Sequence, residues 1–249
     1  MASTAGDIDE LAFLASYDAS LYPRPSVAVD VVLLTVADDA LHTLLVRRTD
    51  QPQLGRWALP GTFVRMDESL DAAAARAVAT KAGLADVFIE QLYTFGEPGR
   101  DPRTRVISVT YYALAEAARL EAAVEGRADR DLCLARMAQD DGTLLAKDAD
   151  GAALGLAFDH DVLLGAAIGR IRGKLDYAPL GFELLPEAFT LLELRRVHES
   201  ILGRALNKDS FRRKVLDRGL VEDTGELARG LGHRPAALYR FARGGGHGG

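Results

Sequence analysis

Two apolar blocks early in the chain, SVAVDVVLLTV (26–36) and LHTLLVRR (41–48), are rich in β-branched residues and leucine and are separated by Asp38-Asp39. Runs of that length around two turn-prone residues predict a β-hairpin. RVISVTYYALA (105–115) has the same makeup and predicts a further strand of the same sheet. Between them the pattern changes to a helical one. An alanine-rich run follows Ser69, a good N-cap, and stops before Gly83, a natural residue just past a helix end, so a helix is predicted from about 70 to 82. Ahead of the first strand, the prolines of Tyr22-Pro23-Arg24-Pro25 predict an extended leader over residues 1–25 rather than a helix.

The stretch 116–157 is harder to read, but Leu132 to Gln139 and Thr143 to Lys147 flank Asp140-Asp141-Gly142, which predicts an extra hairpin. From Asp159, as N-cap, Leu163, Leu164, Ala167, Ile168, Ile171 and Leu175 recur on one side of a predicted helix that ends near Tyr177-Ala178-Pro179 and connects two domains.

Beyond residue 177 the spacing predicts two short helices and a ribbon. Thr190 and Glu193 form a capping-box pair, opening a helix with Leu191, Leu194, Val197, His198, Ile201 and Leu202 on its apolar side and Gly203 as its stop. Asn207 caps a second helix that buries Phe211, Val215 and Leu216 and turns Lys208, Arg212, Arg213, Lys214 and Arg218 outward, with Arg204 in the preceding turn. A second, basic helix joined tightly to a first is the arrangement of a helix-turn-helix, and LVEDTGE followed by ARGLGHRPAALYRF reads as a wing carrying Arg229, His233 and Arg234. The DNA-contact candidates are therefore Arg204, Asn207, Lys208, Arg212, Arg213, Lys214, Arg229, His233 and Arg234. A solvated basic face, ion-paired with Asp209, Asp217 and Glu222, is the plainer alternative.

Charge sharpens this division. The net charge is −6, yet residues 186–249 carry 12 Lys+Arg against 8 Asp+Glu, or +4, leaving −10 for the rest. Only the C-terminal part is suited to a polyanion. The start MASTAGDIDE is acidic where a signal peptide would be basic and then apolar, no apolar run is long enough for a bilayer, and the lone Cys133 excludes an intramolecular disulfide. A cytoplasmic setting without membrane association is expected.

The segment LPGTFVRMDESLDAAAARAVATKAGL (59–84) resembles the Nudix box, G-x5-E-x7-R-E-U-x-E-E-x-G-U with U apolar. Glu68, Arg76, Val78, Gly83 and Leu84 match it. Thr62 replaces the leading glycine, and Ala77, Thr80 and Lys81, three and four apart and so expected on one face of the helix, stand where the pattern has glutamates. Those glutamates jointly hold hard cations such as Mg2+, whereas a methyl, a hydroxyl and an ammonium do not. No metal site and no catalytic residue are expected.

With YPRPSVAVDVVLLTV, GRWALPGTFV, TFGEPGRDPR, RGKLDYAPL, ILGRALNKDSFRRKVLDRGLVE and GHRPAALYRF, nearly the whole chain resembles the NrtR family of Nudix-related transcriptional regulators of NAD metabolism. The region 116–157 is longer than the family pattern. The resemblance implies an α+β chain: a Nudix-like α/β/α sandwich at 26–158, the connecting helix at 159–176, a winged helix-turn-helix domain at 177–243 and a flexible Gly-rich tail at 244–249. It also implies a homodimeric repressor of NAD biosynthesis or salvage genes that binds a near-palindromic operator. The implied effector is ADP-ribose, NAD or a related nucleotide, and no cofactor is required.

Arg47, Arg56, Arg100 and Arg105 are the candidates for the diphosphate, since arginine forks suit it. Trp57 and Phe95 are candidates to stack on a base, Trp57 equally a core anchor. Asp101 takes a ribose hydroxyl or caps the DPR turn, and Arg76 is assigned to orient Glu68. The rival readings are an active ADP-ribose pyrophosphatase with an appended nucleic-acid-binding domain, and a protein-interaction module.

Overall fold

Strand β1 (Ser26–Ala37) is paired along both edges and is the centre of the molecule. The structure is a computed structural model that describes residues 5–126, 131–140, 143–228 and 235–242. One edge of β1 runs parallel to β6 (Val106–Leu114), from Ser26 opposite Val106 to Leu34 opposite Leu114. The other edge is shared: its first half pairs with β4 (Gly61–Phe63) and its second half with β2 (Ala40–Arg47). The hairpin turn between β1 and β2 places Asp38 and Asp39 at φ 47° and 54°, the left-handed geometry of a two-residue hairpin turn that aspartate tolerates. Strands β5 (Phe88–Phe95), β7 (Leu132–Asp140) and β8 (Thr143–Lys147) complete the order β5-β6-β1-β2-β7-β8, with β3 (Trp57–Ala58) against β2. The hairpin read around Asp140 is β7–β8, which extends the main sheet; Asp141 and Gly142 lie outside the described residues.

The two-residue period of β1 sends Val29, Val31 and Leu33 to one face and Val32 and Leu34 to the other. On the first face lie α2 (Leu70–Ala82) and α3 (Ala117–Glu125); on the second lies α4 (His160–Lys174). This is an α/β/α sandwich. Helix α2 has its caps where the sequence puts them: Ser69 Oγ accepts from the Ala72 N–H and Gly83 adopts φ 71°.

The second core does not stop at α4. Val197 and Ile201 of α5 (Leu191–Leu202) are buried in it, whereas Leu194, on another side of the same helix, packs with Phe182, Phe189, Val215 and Tyr239 in a separate small core. Helix α5 thus belongs to both cores, and the C-terminal domain is docked on the sandwich rather than tethered to it. That domain is completed by α6 (Lys208–Asp217) and the antiparallel ribbon of β9 (Val221–Leu227) and β10 (Ala237–Phe241), a winged helix. Residues 229–234, with the DNA-contact candidates Arg229, His233 and Arg234, and 244–249 lie outside the described residues.

Three expectations are corrected. The leader contains helix α1 (Ala5–Ser16), because AGDIDELAFLAS is built from good helix formers while Pro23 and Pro25 restrain only their immediate neighbours. Helix α3 lies in the stretch read only for its hairpin. Finally, Ala77 does not share an exposed face with Thr80 and Lys81: it is wholly buried against the sheet, where its small side chain lets α2 approach β1 closely.

Candidate functional site

At the mouth of the sandwich the box loop is organised by one arginine. Arg76 Nε donates to Glu68 Oε2 at 2.9 Å, its Nη2 to Glu68 Oε1 and to the Phe63 carbonyl at 3.0 Å, and its Nη1 to Thr62 Oγ1 at 3.0 Å. The Arg65 N–H adds a third bond to the carboxylate at 2.8 Å. The Arg76 guanidinium, ahead of the other contacts, draws the Glu68 carboxyl down to about 2. Glu68 is engaged as the loop's internal anchor. Thr80 turns its hydroxyl back to the Arg76 carbonyl at 2.7 Å, and Lys81 is a cation. A hard divalent ion needs several oxygen ligands in one place, and among the described residues no group of three or more His, Cys, Asp or Glu is gathered to supply them. The residues do not fit the metal that the box pattern implies.

A second, more buried polar cluster lies where β1, the loop after β5 and the start of α4 meet. Asp30, on the α4 face of β1, accepts from Ser108 Oγ at 2.6 Å. Arg100 reaches across 59 positions to clasp Asp159 with two bonds of 2.9 and 2.7 Å, its side chain only 5% exposed, and lies 3.7 Å from Asp30. Asp101 accepts the Arg103 backbone N–H and side chain, so it caps the DPR turn, and its carboxyl is lowered chiefly by Arg103. The Arg48 guanidinium stands 4.7 Å from the centre of the Phe158 ring, and Arg103 is 5.3 Å from that of Phe63 and 5.9 Å from that of Phe158. Three arginines therefore face three aspartates around two aromatic rings. Phe158 sits at φ 55°, a left-handed conformation that costs a bulky residue of order 1–3 kcal/mol.

The sequence-predicted effector residues divide around this cluster. Arg100 and Asp101 are inside it, both already bound to protein partners. Arg56 lies beside Gly155, where an added Cβ would stand 3.1 Å from its guanidinium. Arg47 donates to the Gly55 carbonyl at 3.4 Å, and Arg105 to the Glu97 and Val106 carbonyls at 3.4 Å. Trp57 and Phe95 both pack against the core beneath α4, Trp57 in register with Arg47, which suits an anchor rather than a free stacking surface. Arg48, Arg103, Phe158, Asp159 and His160 were missed. Arg103 had a signal in the DPR turn; the others are brought in by tertiary packing.

His160 links the cluster to the LPG loop, accepting the Leu59 N–H at Nδ1 across 2.9 Å while Nε2 faces Asp30 at 3.7 Å. With Nδ1 an acceptor, Nε2 carries the proton of a neutral ring. Burial pushes its pKa below the ordinary 6.5, opposed by Asp30 and Asp159 and assisted by Arg100 and Arg48. The unfolded chain then binds this proton more readily, so its contribution to stability is complete above 6.5 and is lost as pH falls through the folded value. We expect the thermal midpoint to drop as pH falls below the ordinary 6.5, and His160→Asn, whose Oδ1 can still accept from Leu59, to show a shallower drop. Equal slopes for the two proteins in a pH series of melts would reject a buried neutral His160.

The basic face lies on α6. Asn207 Oδ1 accepts the Ser210 N–H at 3.0 Å, so this DNA-contact candidate acts as the helix cap. Lys208, Arg212 and Arg213 are exposed and have no ion-pair partner among the described residues. Lys214 differs from them: its ammonium is 2.7 Å from Asp176, and Arg218 donates to the Asp176 carbonyl at 2.7 Å. Arg204 lines a cavity of about 900 Å3 between the end of α4 and α6.

Family models match both halves, a NUDIX domain over residues 24–148 and an NrtR DNA-binding winged helix domain over 181–241. The ADPR responsive transcriptional repressor NtrR of Acinetobacter baylyi is 37% identical over 235 residues, covering 94% of this chain and 88% of that protein. The crystal structure of Shewanella oneidensis NrtR complexed with a 27mer DNA has a TM-score of 0.74 and 36% identity, covering 87% of this chain and 93% of that one. An ADP-ribose pyrophosphatase of Methanocaldococcus jannaschii is 35% identical over 91 residues, which is 36% of this chain and 52% of that protein. On both domain models and on a relative matched over nearly its whole length, the chain belongs to the NrtR family, a NUDIX domain joined to a DNA-binding winged helix domain.

Proposed function

We propose that the chain is a repressor of NAD biosynthesis or salvage genes that binds ADP-ribose or a related NAD-derived nucleotide without hydrolysing it and releases its operator in response. The observation that carries this reading is the pairing of a box without metal ligands with an intact cluster of arginines and a basic helix on a docked winged helix. Arg100, Arg103 and Arg48 are the forks for a diphosphate, with Arg56, Arg47 and Arg105 at its margin and the Phe63 and Phe158 rings beside it. A symmetric dimer would set its two α6 helices about 34–36 Å apart, one per successive major groove of a near-palindrome. Among the described residues no helix is long and apolar enough to cross a membrane, which agrees with a cytoplasmic, DNA-associated protein.

The test is a gel shift with duplex DNA from upstream of the chain's own gene, titrated with ADP-ribose and NAD while product is followed in the presence of Mg2+. Retarded DNA that is freed by nucleotide, with no product, is the expected result. Mg2+-dependent turnover that disappears in Glu68→Gln, with no retarded DNA, would instead make the chain a hydrolase like its pyrophosphatase relative.

A further inference from the structure

We infer that Asp159 is the positioning residue through which nucleotide occupancy reaches the DNA-reading helix, its carboxylate alternating between Arg100 and the amino end of α4. The inference rests on the sensor reading above and assigns its internal switch.

Asp159 occupies the N-cap position of α4, and aspartate is among the best residues there, because its carboxylate accepts one of the N–H groups left without a partner in the first turn. Here it makes no capping bond. Its two oxygens are taken by Arg100, and its backbone, at φ −103° and ψ 23°, is outside the extended region that a capping residue adopts. Phe158, immediately before it, is held in the left-handed region. The carboxylate therefore has two alternative partners, and changing from one to the other means a backbone change at 158–159, the first link of the helix that joins the domains. A discrete two-state element of this kind is what coupling between distant sites requires.

A diphosphate selects between the states. Arg100 is nearly solvent-free and its Nε–Nη2 edge is taken by Asp159, with Asp30 behind it, so a phosphate that accepts that edge displaces the Asp159 carboxylate. The released carboxylate caps α4, and residues 158–159 relax toward the extended geometry of an N-cap. Helix α4 spans roughly 22 Å at about 1.5 Å per residue, and its far end is fastened to the reading domain. Arg172 Nε donates to the Ile201 carbonyl of α5 at 2.7 Å, and Asp176 holds Lys214 of α6 and Arg218 just past its end. The cavity beside α6, lined by Tyr177, Pro179, His198 and Phe211, leaves room for the shift of about 1–2 Å that packed interface helices make.

The experiment measures operator affinity with and without saturating ADP-ribose, and ADP-ribose affinity with and without operator duplex. Wild type is expected to change by about 5–150-fold, equally in both directions. Asp159→Asn keeps a capping side chain and loses the ion pair. It is expected to bind operator without nucleotide as weakly as wild type does with it, to bind ADP-ribose more tightly than wild type, and to show a ratio near one. Since Arg100 then keeps only Asp30, at 3.7 Å, Arg100→Gln/Asp159→Asn is measured beside it, and its ratio too is expected to fall to about one. A wild-type ratio retained in either folded variant overturns the inference and leaves the sensor intact. Wild type that binds operator with no response to nucleotide overturns the sensor reading itself.

Discussion

Replacing Arg212 and Arg213 together by alanine is expected to weaken operator binding by about 10³-fold while ADP-ribose affinity stays within about 2-fold. The figure follows from about 1 kcal/mol for each side chain removed, taken over two side chains in each protomer of the proposed dimer, at 1.4 kcal/mol per factor of ten. These two are chosen because α6 turns them outward with no ion-pair partner among the described residues, so a nucleic acid meets them without first displacing a carboxylate. Lys214 must leave Asp176 to do the same. The salt dependence separates two modes of recognition. If the arginines touch phosphates, the slope of log affinity against log salt becomes shallower by about 0.9 for each phosphate no longer neutralised, and every sequence is weakened alike. If they read base edges, the slope changes less and discrimination between operator and unrelated duplex disappears. Unchanged affinity in a titration at two salt concentrations would remove α6 as the reading helix and leave the basic face as a solvated surface.

Much of this architecture is legible because its signals are local. Ser69 and Gly83 bracket α2, Asp38-Asp39 turns the first hairpin, and the Thr190–Glu193 capping box opens α5, each within four positions of the element it defines. Charge asymmetry adds the basic α6. The candidate nucleotide site is less legible for a physical reason. Arg100 is positioned by Asp159, 59 positions away, and the LPG loop by His160, 101 positions from Leu59. No period or spacing records such a pairing. The sequence therefore offers arginines of the right kind without showing that Arg100 is first engaged with protein, while of the two roles open to Asp101 the fold takes the cap of the DPR turn. Asp159 stands at the N-cap of α4 as its position suggests, but its carboxylate goes to Arg100 instead of making a capping bond. Ala77 misled in the opposite sense: the box position suggested the metal face, while a methyl in close contact with β1 is a packing requirement.

Gly61→Ala is expected to lower stability by roughly 3–5 kcal/mol, the combined scale of overpacking and of disturbing a buried ion pair. At about 2–4 °C per kcal/mol for a domain of this size, the melting midpoint falls by roughly 6–20 °C. The residue pairs with Asp30 across β1 and β4, and an added Cβ would stand 2.2 Å from Asp30 Oδ1 and 3.0 Å from the Val29 carbonyl. Neither neighbour can give way cheaply. The carbonyl belongs to the central strand, and the carboxylate is held by Ser108 at 2.6 Å with Arg100 and His160 each 3.7 Å away. Moving it disturbs the contacts that Arg100 and His160 make with Asp30, so the buried polar cluster loses order along with stability. Asp30→Ala alone is also costly because it strips Arg100 and His160 of a partner, yet it opens the space that the added methyl needs. The Gly61→Ala/Asp30→Ala double variant should therefore be less damaged than the sum of the two single changes, by more than about 0.5 kcal/mol, the usual scatter of independent sites. Additive losses in denaturant melts would show that Gly61 is required for its backbone alone, and that the contact between the LPG loop and the buried aspartate has no part in holding the site together.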